Sequence, residues 1–226
     1  MTTLLHLDAS ARVNRSISRA LTECFVAAWC AGEPDTRVIR RDVGAQTPGP
    51  VSEAWIDACF TDEAERDDAQ RAVLAVSDGL IEELRAADVI VMGTPKYNYG
   101  MPSALKAWFD QVIRVNKTFT FDLARGDQPL EPTLSGKTLV LLTSCGEFGF
   151  GPGELNDGAG HLIPHVRTCS KYLGVEAFHH IGVEYQEFGD ARHESSKRAA
   201  FDAIPRLVEA LLAEDSLRRE ALRAPG

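Results

Sequence analysis

Short, wholly apolar runs alternate along this chain with longer stretches in which apolar residues return at every third or fourth position. The first pattern predicts strands, the second helices with one buried stripe. Thr3 to Asp8 is the first strand, and Ser16 to Ala31 is the first helix, through Ile17, Ala20, Leu21, Cys24, Phe25 and Ala28. Thr36 to Arg41 is a shorter, alternating strand, and Gln70 to Ala86 is again helical. Val89 to Gly93 is apolar and β-branched, as a parallel strand covered on both faces requires. A helix from Met101 to Val115, a strand from Thr138 to Thr143 and a helix from Gly160 to Leu173 follow. A strand from Val175 to Val183 and a helix from Ser195 to Leu212 end the pattern.

Strands alternating with helices predict βαβ units, hence an α/β fold with an open parallel sheet. One domain over residues 1–213 is expected, with a charged tail over 214–226 that should fray. Val43 to Ala69 and Thr118 to Gly136 are not needed for the sheet, and loops this long in a compact domain usually carry function or move. Ligands of such sheets sit beyond the carboxyl ends of the strands, so three loops there carry the candidate chemistry.

The loop after the first strand runs from Asp8 to Ser18 and leads into a helix N-terminus, where amides are unpaired and the dipole is positive. Ser10, Ser16 and Ser18 add hydroxyls, Ile17 an amide, and Arg12 and Arg15 positive charge. Together these suit a phosphate without the glycines of a dinucleotide fingerprint, although capping of the helix by Ser16 alone would explain part of the pattern. The second loop, Thr94-Pro95-Lys96-Tyr97-Asn98-Tyr99-Gly100, is a stiff polar-aromatic turn that suits the edge of a flat heteroaromatic ring. The third, from Thr143 through Ser144, Cys145, Gly146 and Glu147 to Gly153, has four glycines that allow close backbone approach to a planar ligand. One phosphate loop and two ring-edge loops describe a mononucleotide with a tricyclic head, the flavodoxin arrangement with FMN.

On these residues the sequence resembles the FMN-dependent NADH-azoreductase family of flavodoxin-like quinone reductases. The matching pieces are Ser10 with Ser16-Ile17-Ser18, Pro95-Lys96-Tyr97-Asn98-Tyr99, Pro102 to Asp110, Lys117 to Phe121, Gly136-Lys137, Thr143 to Glu147 and Tyr172-Leu173-Gly174. The likeness implies a five-stranded sheet of order 2-1-3-4-5 with helices on both faces, and a homodimer. It implies that Ser10 and Ser16 to Ser18 hold the FMN phosphate. Pro95 to Tyr99 would follow the ring edge, and Ser144 to Glu147 would face its pyrimidine side. Phe119 and Phe121, with Tyr99, would wall the acceptor pocket near a two-fold interface. NADH or NADPH would donate hydride to the flavin, and quinones or azo compounds would accept it in the same slot, in alternation. No side chain is needed as a nucleophile or a metal ligand. The family often has methionine at the position of Lys96, and a basic or glycine pair at those of Cys145 and Glu147.

Charge and cysteine usage narrow the rest. A net charge of -9 gives no basic footprint for nucleic acid and is unsuited to anionic lipid. No run approaches the roughly 20 apolar residues of a membrane span. Five cysteines without a C-x-x-C pair argue against a disulfide framework and a zinc site, and predict a reducing cytoplasm. His161 and His165 have the spacing of a zinc pair, but the intervening Pro164 and the missing glutamate argue for packing or surface roles. Cys145 suits a small packing residue better than a reactive thiol. The rival reading is a flavodoxin-type electron carrier without its own NADH oxidation. Its phosphate loop would be rich in threonine and glycine, which Ser10 to Ser18 is not.

Overall fold

The computed structural model describes residues 1–223, with side chains through Leu217. Five parallel strands form the sheet: β1 (Thr3–Asp8), β2 (Arg37–Asp42), β3 (Val89–Pro95), β6 (Lys137–Ser144) and β7 (Val175–Val183). Their order is β2-β1-β3-β6-β7, which is the expected 2-1-3-4-5 once the sheet strands alone are counted. Among the described residues six α-helices surround it: α1 (Ile17–Gly32), α2 (Glu53–Phe60), α3 (Asp68–Ala86), α4 (Ser103–Val112), α5 (Leu162–Ser170) and α6 (Ala191–Arg223).

Alternation along the strands explains the two cores. Leu5, Leu7, Ile90, Met92, Leu139 and Leu141 point to one face and pack with Leu80, Leu84, Leu105, Trp108 and Val166 of α3, α4 and α5. Leu4, Val91, Val140 and Leu142 point to the other and meet Phe25, Trp29, Ile204 and Val208 of α1 and α6. Neither face is open to water, so the strands read as continuous apolar runs.

The two segments outside the sheet pattern do carry structure. Within Val43 to Ala69 lies α2, capped by Ser52, and its Trp55 indole donates to Gln111 Oε1 at 2.9 Å. Gln111 in turn donates to the Gly49 carbonyl, which straps the segment to α4. Within Thr118 to Gly136, β4 (Phe119–Phe121) and β5 (Leu130–Pro132) pair as an antiparallel hairpin. The last helix also differs from expectation. It runs through Arg223, beyond the expected end at Leu212, and Thr2 Oγ1 donates to Asp215 Oδ2 at 3.2 Å; residues 224–226 of the expected tail lie outside the described residues. Ile204, Val208 and Leu211 seat this helix on the core.

Parallel register aligns Asp8 with Gly93 and Pro95 with Ser144, so the loops after β1, β3 and β6 leave the sheet at one edge. The chain reverses direction across the sheet between β1 and β3, which is where such folds open a crevice.

Candidate functional site

A cleft at that edge is lined by Ser10, Arg12, Arg15, Ser16 and Ile17 from the first loop, Pro95, Lys96 and Tyr97 from the second, and Ser144, Cys145 and Gly146 from the third. The end of the cleft expected to take a phosphate is built on the start of α1. Ser16 caps the helix by accepting from the Arg19 amide, and the Arg12 amide donates to Ser10 Oγ at 3.2 Å. The first-turn amides of Ile17 and Ser18 have no acceptor within the helix. Two guanidinium groups and a helix dipole give this end its positive field. Ser18 is placed differently from expectation: it is fully buried, and its hydroxyl sits 3.3 Å from that of Ser16. Ser18 is not among the residues that line the cleft.

At the ring end, Asn98 and Tyr99 adopt φ values of 46° and 65°, and Tyr97 and Gly100 exchange backbone hydrogen bonds across them. Two consecutive left-handed residues make a tight primed turn; asparagine tolerates that conformation and tyrosine does not, so the turn stores strain. It is fixed from three sides. Lys96 donates its amide to the Ser144 carbonyl at 2.8 Å, His161 donates its amide to the Tyr99 carbonyl at 2.7 Å, and the Tyr99 hydroxyl donates to Glu147 at 3.0 Å. The Lys96 ammonium lies over the Phe150 ring, and partial burial pushes its pKa down against the pull of Cys145, Glu184 and Glu147. Burial pushes the Cys145 thiol up to about 11, and it donates to the Glu147 carbonyl, which is the behaviour of a packed residue rather than a nucleophile.

Sequence reasoning missed a fourth contributor. Gln186 and Glu187, just beyond β7, also line the cleft. The amides of Tyr185, Gln186 and Glu187 donate to the carbonyls of Glu147, Cys145 and Gly146, so the third loop is held by a short backbone ladder. Phe148 stacks on Tyr185 at 4.3 Å and meets Phe188, with the Arg192 guanidinium over all three rings. Nothing in the spacing of Tyr185 to Phe188 marks it as a ligand loop; its position after the last strand was the available signal. Phe119 and Phe121 are not brought to this cleft. Phe119 packs on Tyr172 at 5.4 Å, and Phe121 is half exposed on the β4–β5 hairpin. Among the described residues no group of histidine, cysteine and carboxylate side chains could hold a metal ion, and no helix is long and apolar enough to cross a membrane.

Residues 2–207 match the protein family described as having a flavodoxin-like fold. The chain is 50% identical over 219 residues to FMN-dependent NADH:quinone oxidoreductase 2 of Colwellia psychrerythraea, covering 94% of this chain and 100% of that one. It belongs to the flavodoxin-like FMN-dependent NADH:quinone oxidoreductase family. A second member of that family, FMN-dependent NAD(P)H:quinone oxidoreductase 1 of Pseudomonas aeruginosa, is 41% identical over 197 residues, 87% of this chain and 93% of its own. The quinone oxidoreductase fold extends to solved azoreductases. One from Bacillus anthracis superposes with a TM-score of 0.81 at 21% identity, over 92% of this chain and 99% of that one. An FMN-dependent NADH-azoreductase of the same species, solved with FMN, gives 0.80 at 14% identity over 93% and 99%.

Proposed function

We propose that this chain is an FMN-dependent oxidoreductase that takes electrons from NADH or NADPH and passes them, two at a time, to quinones, and reductively cleaves azo compounds. The observation that carries the reading is the convergence of a phosphate cradle and two ring-edge loops on one cleft at the carboxyl edge of the sheet. The donor set fits FMN: serine hydroxyls, helix amides and two arginines at one end, and a glycine-rich backbone beside a polar-aromatic turn at the other.

FMN, when bound, supplies the centre that accepts and returns hydride. The chain's own residues bind and orient it. Ser10, Ser16 and the amides of Ile17 and Ser18 would hold the phosphate, and Pro95 to Tyr99 would follow the ring edge. Ser144 to Glu147 would face the pyrimidine side, where backbone amides near Asn98 and Gly146 would stabilise added negative charge. Donor and acceptor use one slot in turn, which gives ping-pong kinetics.

The cleft is open to solvent and encloses about 110 Å³. A second copy closes it in a homodimer, bringing Phe119 and Phe121 toward the acceptor slot with Tyr99. The five free thiols suit a reducing cytoplasm.

The test is an absorption spectrum of the purified protein, followed by anaerobic NADH and then a quinone. Flavin bands that bleach and return, with parallel double-reciprocal lines in steady state, are expected. A colourless chain that retains no added FMN would sink the proposal. Flavin without steady NADH oxidation would leave an electron carrier in its place.

A further inference from the structure

Arg19 follows the phosphate loop, and its guanidinium makes contacts on every side. Nε donates to the Arg12 carbonyl at 2.9 Å and Nη2 to the Ser10 carbonyl at 2.8 Å. Nη1 and Nη2 also donate to the two Asp42 oxygens at 2.7 Å each, and Asp8 Oδ2 lies 3.5 Å from Nη1. Asp42 ends β2 and accepts from the Ala45 amide, and Asp8 ends β1 and accepts from Thr22 Oγ1. One side chain therefore ties the loop after β1 to the tips of two strands.

We propose that Arg19 is a positioning residue for the phosphate cradle, holding the Ser10 and Arg12 carbonyls behind the loop so that its hydroxyls and amides face the anion. The proposal rests on reading the cleft as an FMN site. Arg19 is not among the residues lining the cleft, whereas Arg12 and Arg15 are. Two carboxylates face its single charge, so it offers the phosphate no net positive field. The hydrogen bond from Arg19 holds the Asp42 carboxyl below the usual carboxylate range, which keeps the pair ionised. Without the fork, two backbone carbonyls lose their partner and are free to rotate into the cradle, where a carbonyl dipole repels phosphate. Lysine carries the same charge but cannot hold two carbonyls and a bidentate carboxylate at once.

Charge and geometry predict different results. The experiment measures FMN and riboflavin dissociation constants on flavin-stripped wild-type, Arg19→Lys and Asp42→Asn proteins. If Arg19 positions the loop, Arg19→Lys weakens FMN by about tenfold or more while riboflavin binding stays within about twofold of wild type. Asp42→Asn then also weakens FMN, by about threefold, because it loosens the fork. If charge alone mattered, Arg19→Lys would match wild type and Asp42→Asn, having lost a negative charge near the phosphate, would bind FMN more tightly. Either of those results overturns the proposal. Riboflavin binding reports folding; should Arg19→Lys not fold, the sign of the Asp42→Asn change decides. A wild-type protein that takes up no FMN overturns the cofactor reading itself. Wild-type uptake with an unchanged Arg19→Lys protein leaves that reading standing and removes only the role of Arg19.

Discussion

The two ends of the cleft are built by different means. At the proposed phosphate end a partly buried guanidinium between two carboxylates holds backbone carbonyls, so loop shape depends on side-chain chemistry. At the ring end the main chain holds itself: amides of 185–187 bond carbonyls of 145–147, and the Lys96 amide bonds Ser144. Rings and a cation pack over that ladder without setting it. A loop held largely by its own backbone tolerates changes of side chain. A loop held by one arginine has no such latitude.

Adding a single methyl group at each end gives the sharpest contrast. A Cβ on Gly44 would lie 2.1 Å from the Ser10 carbonyl oxygen, the same oxygen that Arg19 holds, and backbone must move to admit it. Gly44→Ala is expected to destabilise the fold by about 1–3 kcal/mol and to weaken FMN far more than riboflavin. A Cβ on Gly146 would meet Glu187 Cγ at 2.4 Å, a flexible side chain that can swing aside. Gly146→Ala should leave the melting temperature almost unchanged and weaken FMN and riboflavin by equal factors. Equal losses for both flavins in Gly44→Ala would erase the distinction between the ends.

Acid should loosen the ring end. His180 on β7 shares a 2.9 Å hydrogen bond with Thr143 Oγ1 at the end of β6. Burial, aided by Arg167 and Lys96, pushes its pKa from 6.5 down to about 4. The unfolded chain therefore binds a proton near pH 6.5 that the folded chain refuses until about pH 4. The stability due to this group is complete above the higher value and falls by about 3 kcal/mol as pH drops through that window. Thermal melts across the window should show the slope in wild type and a flatter one in His180→Gln. Identical slopes would remove His180 from the account.

The smallest effect is expected at Lys96. Lys96→Met removes a cation over the Phe150 ring and also a charge that burial disfavours, so stability should change by less than about 1 kcal/mol. The ratio of FMN to riboflavin affinity should not move, since the proposed phosphate site lies at the other end. A shifted ratio, measured by fluorescence titration, would mean that the two ends are coupled.

Much of the fold was legible because periodicity is a direct consequence of burial. Val89 to Met92 and Leu139 to Leu142 are covered on both faces, and their unbroken apolar runs predict central parallel strands. That the loops after β1 and β3 line the cleft was legible through residue chemistry at strand ends. The hairpin at Phe119 and the helix at Glu53 were not, because short elements leave too few positions for a period to emerge. The helical continuation past Glu214 was hidden by its charged composition.

By itself the sequence determined the alternation of elements, the two-faced core and the three strand-end loops, since each depends on neighbours within a few residues. Only the tertiary structure decided that Ser18 turns inward, that Gln186 and Glu187 complete the cleft, and that Arg19 serves Asp42 and the phosphate loop together. Those contacts join residues brought close by parallel pairing of β1, β2, β6 and β7. No local pattern encodes such neighbours, because the sheet order that makes them is a property of the whole chain.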